Sequence, residues 1–322
     1  MPSGVHSRAM SATLVLCLAL VGISFAGPLV RLSHAHPLTI AIWRLGFALI
    51  VIVVALVVTG SWRQWRRLRG VDVVLAVGTG VMLALHFWTW NASIAMTTVA
   101  ASVVLVNIQP ALVALLSATW LREPPTTRQW IGIGVAMIGA FVVALPDLAA
   151  ASDAITGRAL IGDLLALAGG VTAACYVVAG RRLRSVLDVW PYVAIVYGTC
   201  FVVLLIFAAG VGAPVLGQPP RELAIFLALA VGPMLLGHTG LNWALKFLPA
   251  YVVNLVLLGE PIGATLIAAA LPSIHELPSV ATLVGGLLVL AGIYLAMRVA
   301  RPAKPVPPHG RTSGAQTRAV PD

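Results

Sequence analysis

"LREPPTTRQWIGIGVAMIGAFVV" at 121–143 and "IHELPSVATLVGGLLVLAGIYLA" at 274–296 are two copies of one pattern. Each begins with a glutamate, passes a proline and enters an apolar run with glycines seven apart. Glu123 aligns with Glu276, Gly132 with Gly285 and Gly139 with Gly292, all at an offset of 153. Pro110 and Pro261, just upstream, are offset by 151, so about two residues are inserted between the registers. The chain is therefore internally repeated. Glycines at this spacing share one helix face two turns apart, which reads first as close helix packing.

Composition fixes the solvent. Of the 322 residues, 60% are hydrophobic and 9% charged, against about 25% charged in soluble domains. Mean hydropathy is +1.01. Such a chain cannot cover its own surface in water. A lipid-crossing helix needs roughly 17–25 apolar residues, because its backbone amides must be satisfied within the helix. Ten runs qualify: 11–30, 38–59, 73–95, 99–121, 130–146, 160–180, 191–210, 223–245, 250–271 and 279–298. The expected fold is all-α, a polytopic membrane protein of ten transmembrane helices. The first run exceeds the 7–15 residues of a signal-peptide core and is read as a retained span. The Pro-, Arg- and Gly-rich stretch 299–322 reads as a disordered cytoplasmic tail.

The net charge of +10 is a topology signal. With the N-terminus in the cytoplasm, sixteen of the 20 Lys and Arg residues fall inside, Arg63, Arg66, Arg67 and Arg69 among them. Arg31, Arg158 and Arg221 fall outside, and Arg44 lies within a span. The positive-inside rule thus puts both termini in the cytoplasm. No nucleic-acid motif or basic amphipathic helix occurs, so nucleic acid is not an expected partner. Cys17, Cys175 and Cys200 sit singly in apolar runs and read as buried small residues, with no metal pair or disulfide framework. No GxSxG, HExxH or Walker A segment is present, so no catalytic residue, cofactor or metal is assigned and ATP-driven pumping is not expected.

Five spans per repeat is an odd number, so the halves, 11–146 and 160–298, enter the membrane from opposite sides. Two inverted five-helix repeats are an architecture of secondary transporters, whose sites lie near the midplane between halves.

Three further segments carry a family resemblance: "HPLTIAIWRLGFA" at 36–48, "GDLLALAGGVTAACYVVAGRRLR" at 162–184 and "GHTGLNWALKFLPAYVVNLVLLGEPIGATLIAA" at 237–269. Over residues 11–298 the chain resembles the EamA type of the drug/metabolite transporter superfamily. It departs from that pattern at "LPSIHE" (271–276), where the family carries "LGE", and the seventh span has no arginine matching Arg44. The resemblance implies a carrier working by alternating access, most often an exporter of small metabolites, in a bacterial inner (plasma) membrane. The implied partners are a small-molecule substrate and the lipid bilayer, with a coupling proton and a homodimer left open. An intramembrane enzyme acting on lipid-borne substrates and a non-transporting receptor are the competing readings.

Polar residues within spans are costly in lipid and are default functional candidates. Arg44 either attracts an anionic substrate group or holds a gate, or else it snorkels or pairs structurally. Glu260, before the ladder-breaking Pro261, binds a cationic group or carries a proton, or else stabilises a kink. His86 and Trp90 share a face of span three, as His238 and Asn242 share one of span eight. With Asn91, Trp243 and Tyr176 they form a candidate cavity lining, with proton relay by histidine as one role and interhelical hydrogen bonding as the alternative. Asn107, Gln109 and Asn254 complete the set. Trp62, Trp65 and Trp190 read as interfacial anchors.

Overall fold

A computed structural model describes residues 3–94, 96–97, 102, 105–150, 157–270 and 279–297. The 299–322 tail, Glu276 and parts of spans four, nine and ten lie outside the described residues. Among the described residues the fold is all-helical, without strands. Seven helices are long and apolar enough to cross a membrane. They are α1 (Ser11–Val30, interrupted at Phe25), α2 (Pro37–Val58), α3 (Gly70–Ser93), α6 (Gly157–Leu183), α7 (Val189–Val211), α8 (Pro220–Ala244) and α10 (Val280–Met297). Three apolar helices are shorter: α4 (Gln109–Leu121), α5 (Thr127–Val143) and α9 (Ala250–Ala264).

Prolines explain the irregular helices. A proline removes a backbone donor and clashes with the preceding turn. α4 runs from Gln109, with Pro110 in its first turn, after a turn at Asn107 and Ile108 that follows helical Leu105 and Val106. Its repeat counterpart α9 tightens to a 3₁₀ turn at Val256–Gly259, immediately before Glu260 and Pro261. Pro233 lies inside α8, where Ala230–Thr239 relaxes to a π-helix.

The packing follows the duplication. α5 and α10 meet along their glycine faces. A Cβ on Gly139 would lie 2.6 Å from the Val289 amide nitrogen and 2.7 Å from the Gly285 carbonyl oxygen. One on Gly132 would lie 2.7 Å from the Gly292 carbonyl oxygen. Residue numbers rise on one helix as they fall on the other, so the pair is antiparallel. Exchanging α1–α5 with α6–α10 maps the remaining principal contacts onto one another. α3 packs on α6 as α8 packs on α1; α3 meets α7 as α8 meets α2; α4 meets α6 as α9 meets α1. Three pairs, α2 with α7, α4 with α9 and α5 with α10, join a helix to its own counterpart.

The outward faces are apolar, including Ile50, Val54, Val57, Leu164, Ile206 and Leu287. A continuous apolar exterior of this kind suits hydrocarbon rather than water. Of the three cysteines only Cys200 is buried. Cys17 is exposed and Cys175 intermediate, because they fall on helix faces that turn outward.

Polar clasps tie the helix ends. At one end the Gln64 amide donates to Asp188 (2.6 Å), and the Lys246 ammonium donates to the same carboxylate (2.6 Å). The Lys246 hydrogen bond, helped by Gln64, holds the Asp188 carboxyl below its ordinary range against partial desolvation. Its stabilisation is present above the unfolded carboxylate value of about 3.9. It is lost as pH falls through the lower folded value. Both partners are well exposed, so the effect is small. Melting curves of wild type and Asp188→Asn should begin to converge as pH falls below about 4 and meet only below the lower folded value; a difference undiminished by acid would contradict the assignment.

At the other end Glu222 accepts from the Ser33 hydroxyl and from the His34 amide (3.2 Å). There the Trp43 indole donates to the Val215 carbonyl (2.8 Å).

Candidate functional site

A cavity of about 110 Å³ lies at the middle of the bundle, walled by α1, α2, α3, α4, α6, α8 and α9. Both sequence halves contribute. Ten of the twelve candidate residues line it: Arg44, His86, Trp90, Asn107, Gln109, Tyr176, His238, Asn242, Asn254 and Glu260. The equivalent dipeptides Gln109–Pro110 and Glu260–Pro261 both bring their polar residue to the cavity. Each follows a break in its helix. Discontinuous helices at such a midpoint expose backbone and polar side chains where a regular helix would present only its sides.

Two candidates lie elsewhere. Asn91 is not among the lining residues; it follows Trp90, and one helical step turns a side chain by about 100°. Trp243, one step from Asn242, lies instead in a cleft at the Asp188 end of the bundle. There its ring packs on Phe247, with centroids 4.5 Å apart.

Arg44 dominates the cavity's electrostatics. It is 6% exposed, and its guanidinium carbon lies 4.1 Å from the centre of the Phe87 ring. Its Nε and Nη2 have no hydrogen-bond partner among the described residues. Glu260 lines the same cavity but makes no ion pair with Arg44 among the described residues. A buried cation is normally paired and hydrogen-bonded; Arg44 has only the face of an aromatic ring. Asn254 is 1% exposed, and both its Nδ2 and Oδ1 lack partners, as does the Trp90 Nε1. Three convergent polar groups are thus left open around one void.

Other groups are already engaged. His86 Nδ1 donates to the Gly169 carbonyl (3.0 Å). A carbonyl only accepts, so this bond puts the ring proton on Nδ1 and leaves Nε2 as the acceptor. His86 stacks on Trp90 at 6.4 Å, and His238 meets the Phe87 ring edge-on at 5.8 Å. Asn242 Nδ2 donates to the Tyr176 hydroxyl (2.6 Å) and the Tyr197 hydroxyl (3.0 Å). Asn242 therefore fixes Tyr176 at the wall.

At the Asp188 end of the bundle, the cavity-lining Leu245 lends its carbonyl to Arg181 Nη1 (2.9 Å). Arg181 Nη2 pairs with Glu123 at 2.7 Å, and Arg181 is 2% exposed. Arg184 Nε donates to the Asn242 carbonyl (2.9 Å). A buried cationic layer therefore closes this end directly behind Leu245. Breaking a buried pair by removing one partner costs about 3–5 kcal/mol. Glu123→Ala should accordingly lower thermal stability far more than Asp188→Ala; equal effects would refute the burial argument.

Sequence reading missed Phe87, Tyr197 and the Glu123–Arg181 pair. Tyr197 is one of three hydroxyl-bearing residues, with Tyr192 and Thr199, in the apolar run 191–210, a signal that was available. The pairing of Glu123 with Arg181 joins residues far apart in sequence, and no local pattern announces it. Among the described residues no group of three or more His, Cys, Asp or Glu could hold a metal.

The EamA-like transporter family model matches residues 10–145 and 160–298. An uncharacterized transporter of Archaeoglobus fulgidus is 25% identical over 287 residues, covering 88% of this chain and 97% of the relative. The uncharacterized transporter sll1319 of Synechocystis sp. is 22% identical over 268 residues, covering 74% and 78% respectively. A solved protein structure superposes with a TM-score of 0.77 at 19% identity, over 90% of this chain and 98% of the other, a likeness of fold alone. The chain belongs to the EamA-like transporter family of the drug/metabolite transporter superfamily and is a multi-pass membrane transporter.

Proposed function

We propose that this transporter is a secondary carrier exporting small polar or amphipathic metabolites across the plasma membrane by alternating access. The observation that carries the proposal is Arg44, buried in a cavity shared by both halves with two nitrogens unpartnered. An anionic group on the solute completes its coordination, and Asn254 and Trp90 supply further polar contacts. Tyr176, Phe87 and the histidine rings supply aromatic walls. Glu260 faces the same space and takes a cationic group or a coupling proton.

Ten spans in two inverted halves, with both termini in the cytoplasm, form the frame of this reading. The seven long and three shorter apolar helices support it, as do the antiparallel α5–α10 pair and the symmetric contact pattern. In that orientation the Asp188 and Glu123–Arg181 layer lies at the cytoplasmic end and the Glu222 clasp at the outer end. Export is the direction the family likeness favours.

The test is solute flux in vesicles containing Gln64→Cys/Asp188→Cys, two positions whose native side chains touch. Oxidation should arrest flux and reduction restore it, with each single-cysteine variant unaffected. A steady ion conductance through the oxidised protein would replace the carrier by a channel.

A further inference from the structure

A second recess, separate from the central cavity, opens at the Asp188 end. It is a cleft of about 540 Å³ formed by the end of α2, the 3₁₀ helix Ser61–Arg67, and the adjoining ends of α7 and α8. Gly60, at φ 62°, turns the chain from α2 into the 3₁₀ helix and so folds that basic segment over the helix end. Four cations line the cleft, Arg63, Arg67, Arg184 and Lys246, against one carboxylate, Asp188. Arg184 is spent on the Asn242 carbonyl, and Lys246 shares Asp188 with Gln64. The Arg63 and Arg67 side chains make no hydrogen bond or ion pair among the described residues; the Arg63 guanidinium only lies over the Trp62 ring, 5.6 Å from its centre. The Thr59 and Ser61 hydroxyls, 2.8 Å apart, sit at the same mouth.

Just below the mouth the surface turns apolar. Val54, Val57 and Val58 of α2 are exposed, Val58 at 80%. Trp62 and Trp65 are exposed beside them, and Trp65 is anchored through its indole to the Pro191 carbonyl (3.1 Å). These valines belong to the lipid-facing exterior, so an acyl chain whose headgroup reaches the arginines can run along them. A phospholipid matches both, with its phosphate between the arginines and an acyl chain along α2. Basic recesses of this kind on the cytoplasmic side suit anionic headgroups, and arginine forks suit phosphate oxygens.

We infer that the cleft at Arg63 and Arg67 binds the phosphate headgroup of an anionic phospholipid, whose acyl chain lies along Val54 and Val58. The bound lipid staples the α2 end to the start of α7. The cleft shares Gln64 and Asp188 with the cytoplasmic end of the solute pathway, so its test reads binding rather than flux.

The test is a titration of detergent-solubilised full-length protein with phosphatidylglycerol, read as the rise in melting temperature. Phosphatidylcholine and water-soluble glycerol 3-phosphate form the parallel arms. Wild type should be stabilised by phosphatidylglycerol and not by phosphatidylcholine. Arg63→Gln/Arg67→Gln should raise the half-saturating lipid concentration on the order of twentyfold, from the contribution of two basic residues at an anionic surface. Arg66→Gln/Arg128→Gln, which removes equal charge outside the cleft, should leave it unchanged. An undiminished response in Arg63→Gln/Arg67→Gln would overturn the site. An equal loss in Arg66→Gln/Arg128→Gln would reduce it to a diffuse surface field. Displacement of phosphatidylglycerol by equimolar glycerol 3-phosphate would assign the cleft to a free phosphate instead of a lipid.

Discussion

Replacing Arg44 with methionine should abolish solute flux while making the empty protein more stable. The two effects have one cause. The guanidinium is buried, and two of its nitrogens lack partners, so the empty carrier bears a desolvated charge that only an aromatic face offsets. Methionine fills similar space without that penalty. We expect a melting temperature higher by at least about 2 °C. In the loaded carrier the same nitrogens bond an anionic group, and charge-assisted hydrogen bonds are worth about 1.5–3 kcal/mol each. Losing two of them lowers transport by about 100-fold or more. Normal flux in Arg44→Met would retire the residue from the pathway. A large fall in stability would show instead that Arg44 holds the fold.

The second large effect falls on the α5–α10 interface. Gly139→Leu should prevent stable accumulation of the protein. A Cβ there would already meet backbone atoms of α10 at 2.6 and 2.7 Å, and backbone cannot move aside as a flexible side-chain tip can. The helices must separate along the whole glycine face, including Gly132 against Gly292. Overpacking commonly costs about 1–3 kcal/mol, and displacing backbone along two turns exceeds that range. Total stability is about 5–15 kcal/mol. Gly134→Leu is the matched control: it lies on the same helix, and nothing stands within 4 Å of its Cβ direction. Membrane-fraction yield and the melting temperature of any purified product read the comparison. Equal tolerance of both substitutions would mean that α5 and α10 do not pack as described.

Much of this was legible in the sequence because lipid imposes simple rules. Apolar runs marked an all-helical membrane fold, with seven helices of span length among the described residues, and the Gly132/Gly285 and Gly139/Gly292 register marked the two helices that pack together. Costly intramembrane polarity singled out Arg44, His86, His238, Asn254 and Glu260, which the fold gathers around one cavity. Legibility failed where side-chain direction or distant pairing decides. Asn91 and Trp243 each sit one residue from a cavity residue, and neighbours on a helix face different ways. The partner of Arg181 is Glu123, 58 positions away, and Arg181 read as a loop charge. The engagement of Asn242 by Tyr176 and Tyr197 needs three helices in place. Pro233 was visible, but that the helix absorbs it as a π-segment beside His238 depends on the surrounding packing.

Alternating access requires that the Arg44 cavity communicate with one side of the membrane at a time. In a background with Cys17, Cys175 and Cys200 replaced by alanine, Leu257→Cys, in the cavity wall, should react with a membrane-impermeant thiol reagent from either side of the membrane in the unlocked protein. With the cytoplasmic end closed by the oxidised Gln64→Cys/Asp188→Cys pair, labelling should persist from the outer side and vanish from the inner side. Labelling from both sides of the locked protein would contradict alternating access.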